Sequence, residues 1–240
     1  MLLYPEYAPQ FVDATINFTS SFTSPVEVGK SCPAEADCTA TGSTAYAKGG
    51  SNVARGGEGT NTFTLSGNNT WGGKVMTPST VTVTATRSYA EGTDVVKTNK
   101  GNKTQKASTN ATTLLSNASV SPNINATYNI KPITKTTEKK ITFVYSVYAS
   151  TATAGTLTKQ AITANKTREF TLKAGVSLIA VPAACTNVKI EKEGLGQWFA
   201  ETYTESNVEL AIGDGTTKIP YKQYKLTTTT ADSKFRVIYN

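Results

Sequence analysis

Ser79-Thr80-Val81-Thr82-Val83-Thr84-Ala85-Thr86 alternates threonine with a small apolar residue from Thr80 onward. In a β-strand successive side chains point to opposite faces, so Val81, Val83 and Ala85 fall on one side and the threonines on the other. A strict period of two with one apolar face predicts a half-buried antiparallel strand. Threonine is β-branched and suits a pleated surface, and it fills about one position in six of this 240-residue chain.

The same alternation recurs outward from this stretch. Ile124-Asn125-Ala126-Thr127-Tyr128-Asn129-Ile130 places Ile124, Ala126, Tyr128 and Ile130 on one face, and shorter examples run through Phe170–Lys173, Val188–Glu191 and Val208–Leu210. Gly49-Gly50, Gly56-Gly57, Gly72-Gly73, Glu91-Gly92, Ala174-Gly175, Glu193-Gly194 and Gly213-Asp214-Gly215 punctuate the strands with turn chemistry. Only Ala107–Ser116 has the composition of a short helix. Ile141-Thr142-Phe143-Val144-Tyr145-Ser146-Val147-Tyr148 is apolar on both faces and reads as one strand covered on both sides.

The expected fold is all-β: two tandem antiparallel β-sandwich, immunoglobulin-like domains behind an extended N-terminal arm. The length suits two domains of ordinary size. The arm covers 1–12, the first domain 13–132 and the second 139–240. The junction between them is drawn at Lys131-Pro132-Ile133-Thr134-Lys135-Thr136-Thr137-Glu138, where proline enforces extended backbone and a basic run, continued by Lys139 and Lys140, precedes new apolar sequence.

Composition argues against the commonest chemistries. There is no histidine, the side chain that titrates nearest neutrality and serves most triads, proton shuttles and first-row metal sites. Cys32, Cys38 and Cys185 form no tetrahedral ligand set. A Cys32–Cys38 disulfide has a conceivable loop geometry, but reduced thiols are the favoured reading. Gly213-Asp214-Gly215 has too few carboxylates around it for a calcium loop and reads as a tight turn. Glu191 and Glu193 share a strand face with no partner acid, which leaves a carboxylate-based hydrolase or lyase as a weak third hypothesis. The seven Asn-X-Ser/Thr triplets are what chance supplies in a chain this rich in Asn and Thr. No catalytic residue, cofactor or metal is expected.

No apolar run is long enough to span a bilayer, and the opening Met1–Glu6 lacks the basic flank and apolar core of a signal peptide, so no membrane role is expected and synthesis is placed in a cytoplasm. The net charge is +7. Lys97, Lys100, Lys103 and Lys106 recur every third residue in a Gly- and Asn-containing loop. No aromatic interleaves them as a single-strand platform would require, so a solvated loop or a protein-docking strip is favoured over nucleic acid.

From Phe143-Val144-Tyr145-Ser146-Val147-Tyr148-Ala149-Ser150 the chain runs through Leu157–Gln160 and Thr167–Gly175 to the apolar Val176-Ser177-Leu178-Ile179-Ala180-Val181-Pro182. It passes the glycine-aromatic stretch Glu193-Gly194-Leu195-Gly196-Gln197-Trp198-Phe199 and closes with Pro220–Leu226, a threonine run and Phe235-Arg236-Val237-Ile238-Tyr239. This order resembles a β-domain recurrent in structural proteins of tailed bacteriophages. Pro25-Val26-Glu27-Val28-Gly29-Lys30 and the strands after it are similar to the immunoglobulin-like modules that precede that domain.

The resemblance implies a non-enzymatic virion component made in a bacterial cytoplasm, a capsid decoration or head-fibre protein docking on the major capsid protein. The alternatives are a tail, neck or fibre appendage, or a bacterial adhesin or pilin-like module. Its partners would be other virion proteins, further copies of itself, and a host-surface glycan or protein. Candidate interface residues are Leu2, Leu3, Tyr4 and Tyr7 in the arm, the four lysines Lys97, Lys100, Lys103 and Lys106, and Trp198, Phe199 and Tyr203, because aromatics are enriched at interface cores. Trp71, between Asn69-Thr70 and Gly72-Gly73, reads as a core anchor beside a turn.

Overall fold

A computed structural model describes residues 10–44, 46–49, 52–55, 58–97 and 125–240. Among these, regular structure is all strand apart from one 3-10 turn at Glu35–Asp37. The strands of the first half are β1 (Gln10–Val12), β2 (Asn17–Ser20), β3 (Val26–Glu27), β4 (Cys38–Thr41), β5 (Tyr46–Gly49), β6 (Asn52–Arg55), β7 (Gly59–Leu65), β8 (Ser79–Tyr89), β9 (Gly92–Lys97) and β10 (Asn125–Ile130). Those of the second half are β11 (Ile133–Val144), β12 (Tyr148–Thr153), β13 (Thr156–Lys159), β14 (Thr167–Leu172), β15 (Leu178–Pro182), β16 (Lys189–Gly194), β17 (Gln197–Ala200), β18 (Tyr203–Ala211), β19 (Lys218–Leu226) and β20 (Ser233–Ile238).

The described residues fall into two compact units, each drawn from separated stretches of chain. One uses Met1–Ser20, Cys38–Thr64 and Thr84–Glu138; the other uses Ser21–Asp37, Leu65–Val83 and Lys139–Asn240. The segment 139–240 thus lies wholly in the second unit. It is joined there by two stretches from the first half.

β8 follows the alternation that led to it. Val81, Val83 and Ala85 are fully buried while Thr82 and Thr84 are only partly so. It lies in a four-stranded sheet ordered β3-β11-β8-β7. Of the expected arm, residues 10–12 form β1 and pair antiparallel with β5. In the first unit β2 pairs antiparallel with β4, and the Phe18 ring meets Phe63 at 5.9 Å. The buried Tyr89 donates its hydroxyl to the Thr15 carbonyl at 2.5 Å, so an amphipathic ring fastens the loop after β1.

The expected strand Ile141–Tyr148 is interrupted. β11 begins at Ile133, just after Pro132, takes in the basic run, and ends at Val144; the chain leaves extended pairing over 145–147 before β12 starts. Ser146 and Val147 are fully buried in this break, and the Ser146 hydroxyl lies 3.2 Å from that of Tyr221. A hydroxyl buried among apolar residues needs a partner, and Tyr221 supplies it only if the backbone turns here.

The second unit is sandwich-like. A five-stranded antiparallel sheet, β13-β12-β15-β19-β18, and a four-stranded antiparallel sheet, β14-β20-β16-β17, share one cluster of buried side chains. Ala149, Ile179, Val181, Tyr224 and Leu226 come from the first sheet, and Phe170, Leu172, Ile190, Phe235 and Val237 from the second. Register accounts for the sharing: Ile179 opposes Tyr224 and Phe170 opposes Phe235, so each row presents two apolar groups to the same interior. The other face of the five-stranded sheet carries a smaller cluster of Tyr148, Ala180 and Tyr221, with Leu157, Val208, Leu210 and Ile219 packed around it.

Candidate docking surface

The aromatic candidates sit where the two sheets of the second unit end. β16 and β17 form a hairpin in which Gly194 opposes Gln197 and the turn is Leu195-Gly196, two residues beyond the expected Glu193-Gly194. Both turn residues have positive φ, 51° and 76°, the geometry of a two-residue turn that matches strand twist. Leu195 is unusual there because its Cβ disfavours the left-handed region. Its side chain is fully exposed.

The hairpin register sends Trp198 and Phe199 to opposite faces. Trp198 opposes Glu193 and lies on the outer face of the four-stranded sheet, where the Arg236 guanidinium sits 4.6 Å and the Lys234 ammonium 5.3 Å from its ring centroid. Those cations are also paired: Arg236 with Glu191, and Lys234 with Glu169 at 3.1 Å and Glu193 at 3.9 Å. Trp198 is therefore a half-buried cation–π platform within a charged ladder. Glu191 and Glu193 do share a face, and each is engaged by a cation of β20.

Phe199 opposes Lys192 and is 54% exposed, its ring resting over the Gly194 backbone. The short connection Glu201-Thr202 then leads into β18. Tyr203, the first residue of that strand, is 41% exposed and meets the buried Tyr224 edge-to-face at 5.0 Å. Leu195, Phe199 and Tyr203 are thus three exposed apolar side chains on the run from the β16–β17 turn to the start of β18.

Among the described residues β18 pairs only with β19, through nine consecutive residue pairs from Tyr203–Leu226 to Ala211–Lys218 without a register shift. Its odd-numbered side chains share the face of Tyr224 and Leu226, and its even-numbered ones the face of Tyr221. Glu205 on the odd face pairs with Lys222 at 2.8 Å. Exposed Glu209 has no ion-pair partner among the described residues. Beneath the edge, burial and then the charge of Glu205 push the Tyr224 hydroxyl up to about 12.

Leu2, Leu3, Tyr4, Tyr7, Lys100, Lys103 and Lys106 lie outside the described residues, as does 107–116. Lys97 ends β9, opposite Asn125. Trp71 sits half-buried in a turn. Cys32 and Cys38 are both buried and are not joined in a disulfide. Asp214 caps its turn by accepting the Thr216 and Thr217 amides, the Thr217 hydroxyl and the Lys74 ammonium, and the Thr217 bonds first among these hold its carboxyl far below the usual range. Among the described residues no three His, Cys, Asp or Glu side chains gather as a metal site, and no helix is long and apolar enough to cross a membrane.

A pocket of about 40 Å3 lies between Tyr145, Lys166, Cys185 and Tyr239. Burial pushes the Cys185 thiol up, against the opposing pull of Lys166, so it stays protonated and is a weak nucleophile.

Sequence had pointed to Trp198, Phe199 and Tyr203 by residue type, and the structure separates their roles. It also adds the outer side of β18, which has no strand partner among the described residues. Val208-Glu209-Leu210 was its only visible part. Compared with protein-family models, with curated proteins and with solved structures, the chain finds no match.

Proposed function

We propose that this protein is a non-enzymatic structural component of a bacteriophage virion, a capsid decoration or head-fibre protein that docks on the major capsid protein or on a neighbouring head or tail protein. Two immunoglobulin-like sandwiches in tandem would be its modules. The observation that carries the reading is the second unit's organisation. Of the segments on which the phage resemblance rests, Thr167–Gly175, Val176–Pro182, Pro220–Leu226 and Phe235–Tyr239 fall on β14, β15, β19 and β20, whose apolar residues meet in one interior, whereas Phe143–Ser150 is divided between β11 and β12.

A two-sheet module with exposed apolar side chains at Leu195, Phe199 and Tyr203 suits a part whose work is done by surfaces. Purified protein incubated with capsids or tails stripped of accessory proteins is expected to co-sediment with one of them at a fixed stoichiometry. Imaging of the decorated particle would then place the second unit on the lattice. Failure to co-sediment with heads and tails alike would count against the proposal, and binding to host cells in the absence of particles would favour an adhesin.

A further inference from the structure

The hydrogen-bond phase along β18 determines which of its backbone groups are free. In an antiparallel pair, residues that exchange N–H···O bonds alternate with residues that do not. Ile212, just past the strand, donates its N–H to the Thr217 carbonyl at 2.9 Å. Counting back through the register, Leu210, Val208, Ser206 and Thr204 bond to β19, while Ala211, Glu209, Asn207, Glu205 and Tyr203 face away from it. Pro220, which has no N–H, opposes Glu209, where this phase asks for none. Five outward N–H groups therefore line one regular edge, together with the carbonyls of Tyr203, Glu205, Asn207 and Glu209, whereas the Ala211 carbonyl accepts the Tyr148 hydroxyl at 2.5 Å. Among the described residues none has a backbone partner there.

Such an edge templates strand pairing, and proteins ordinarily blunt it with proline, lysine, a bulge or brevity. β18 is nine residues long, unshifted, and free of Pro and Lys, and the charged side chains it carries are Glu205 and Glu209. Its side chains specify what it accepts. The odd face carries Glu205 and Glu209, and the even face offers Val208 and Leu210, which pack around Tyr221.

We propose that the free edge of β18 is a strand-addition site for an extended segment of a partner protein in which basic residues, opposite Glu205 and Glu209, alternate with apolar residues continuing the Val208–Leu210 face. The inference rests on the docking role proposed above. A second copy of β18 is the poorer occupant. Symmetric antiparallel pairing centred on Asn207 sets Glu205 against Glu209, and neighbouring registers still gather four carboxylates on one face. Main-chain bonds would supply affinity, alternate side chains specificity, and the exposed rings of Tyr203 and Phe199 would cover one end.

The test uses the full chain and a synthetic peptide, as long as β18, that alternates lysine with valine. Amide exchange of Tyr203, Glu205, Asn207, Glu209 and Ala211 is expected to slow about tenfold or more at saturating peptide, with the even-numbered amides little changed. A peptide with glutamate for lysine should leave exchange unchanged. Asn207→Pro should abolish the protection, and Glu209→Lys, on an exposed position, should shift the preference toward the glutamate peptide. Equal protection by both peptides, or by neither, overturns the proposal. So does protection without peptide that grows with protein concentration, which would assign the edge to a second copy. Odd-numbered protection by the lysine peptide combined with failure to co-sediment on particles would sink the virion reading and leave this site standing.

Discussion

β13 and β18 close opposite sides of the same five-stranded sheet and treat their exposed backbone differently. β13 is four residues long, its pairing with β12 shifts register between Ala149 and Thr153, and its ends are tied down. The Thr158 hydroxyl donates to the Ala149 carbonyl at 2.9 Å, the Gln160 amide to the Thr158 carbonyl at 2.8 Å, and the Lys159 ammonium reaches the buried Glu27 carboxylate at 2.9 Å. β18 is long, regular and ends on exposed aromatics. One edge is short and irregular, and the other is the one we propose accepts a neighbour. Within a single sheet sharing one core, stability does not explain that difference.

The largest break in this comparison comes from the ring beneath the open edge. Tyr224 is 2% exposed, belongs to the shared interior and supports Tyr203. Tyr224→Ala is expected to destabilise the protein by about 3–5 kcal/mol, read from the urea midpoint at constant slope. Amides of β18 bonded to β19 should then exchange faster than those of β13, because the lost ring lies under the former.

Next comes the tie on the closed edge. Glu27→Ala leaves Lys159 without its partner, and because that side chain is a third exposed the loss is expected at about 1–2 kcal/mol rather than the full effect of a buried pair. Exchange should quicken across Thr156–Lys159 and stay unchanged in β18. A uniform change across both edges would mean that Glu27 supports the sheet as a whole.

These two strands also show what could be read from residues alone. β8 was legible because Val81, Val83 and Ala85 have one buried face and the threonines one wet face. β14 and β15 were legible for related reasons, the one alternating and the other buried at every position. β18 showed only its Val208–Leu210 end. At an edge, Tyr203–Asn207 need bury neither face, so Thr204, Glu205, Ser206 and Asn207 carry no apolar period. The break at 145–147 was hidden because no Gly or Pro marks it, and Ser146 is its single polar signal. The Leu195-Gly196 turn was displaced because leucine is not a residue that turn chemistry favours.

A smaller and reversible effect follows from pH. Tyr224 titrates near 12 in the folded protein because its burial disfavours the phenolate, whereas an unfolded tyrosine ionises near 10. With the folded value raised, the stabilisation is complete below about pH 10 and is lost as pH climbs toward 12, since only the unfolded chain has released the proton. Burial raises Tyr221 in the same sense. Urea midpoints measured across this alkaline window should fall for the wild type and fall less for Tyr224→Phe. If the two curves run parallel, the ring under β18 does not remain neutral as described.

The smallest expected effect discriminates most sharply between the two edges. Asn207 faces its N–H away from β19, so Asn207→Pro removes no ladder bond, and an edge strand accepts proline on its solvent side. The change in stability should stay within about 1 kcal/mol, with Ser206 already in the extended conformation that a following proline requires. Val208→Pro, one residue on, deletes a bond to β19 and an apolar contact beneath Tyr221, and its urea midpoint should drop several times further. If the two prolines destabilise equally, the phase assigned to β18 is wrong and its odd-numbered amides are not free. If Asn207→Pro is silent for stability yet abolishes particle binding, the open edge exists for a partner, because nothing inside the folded chain would have registered its loss.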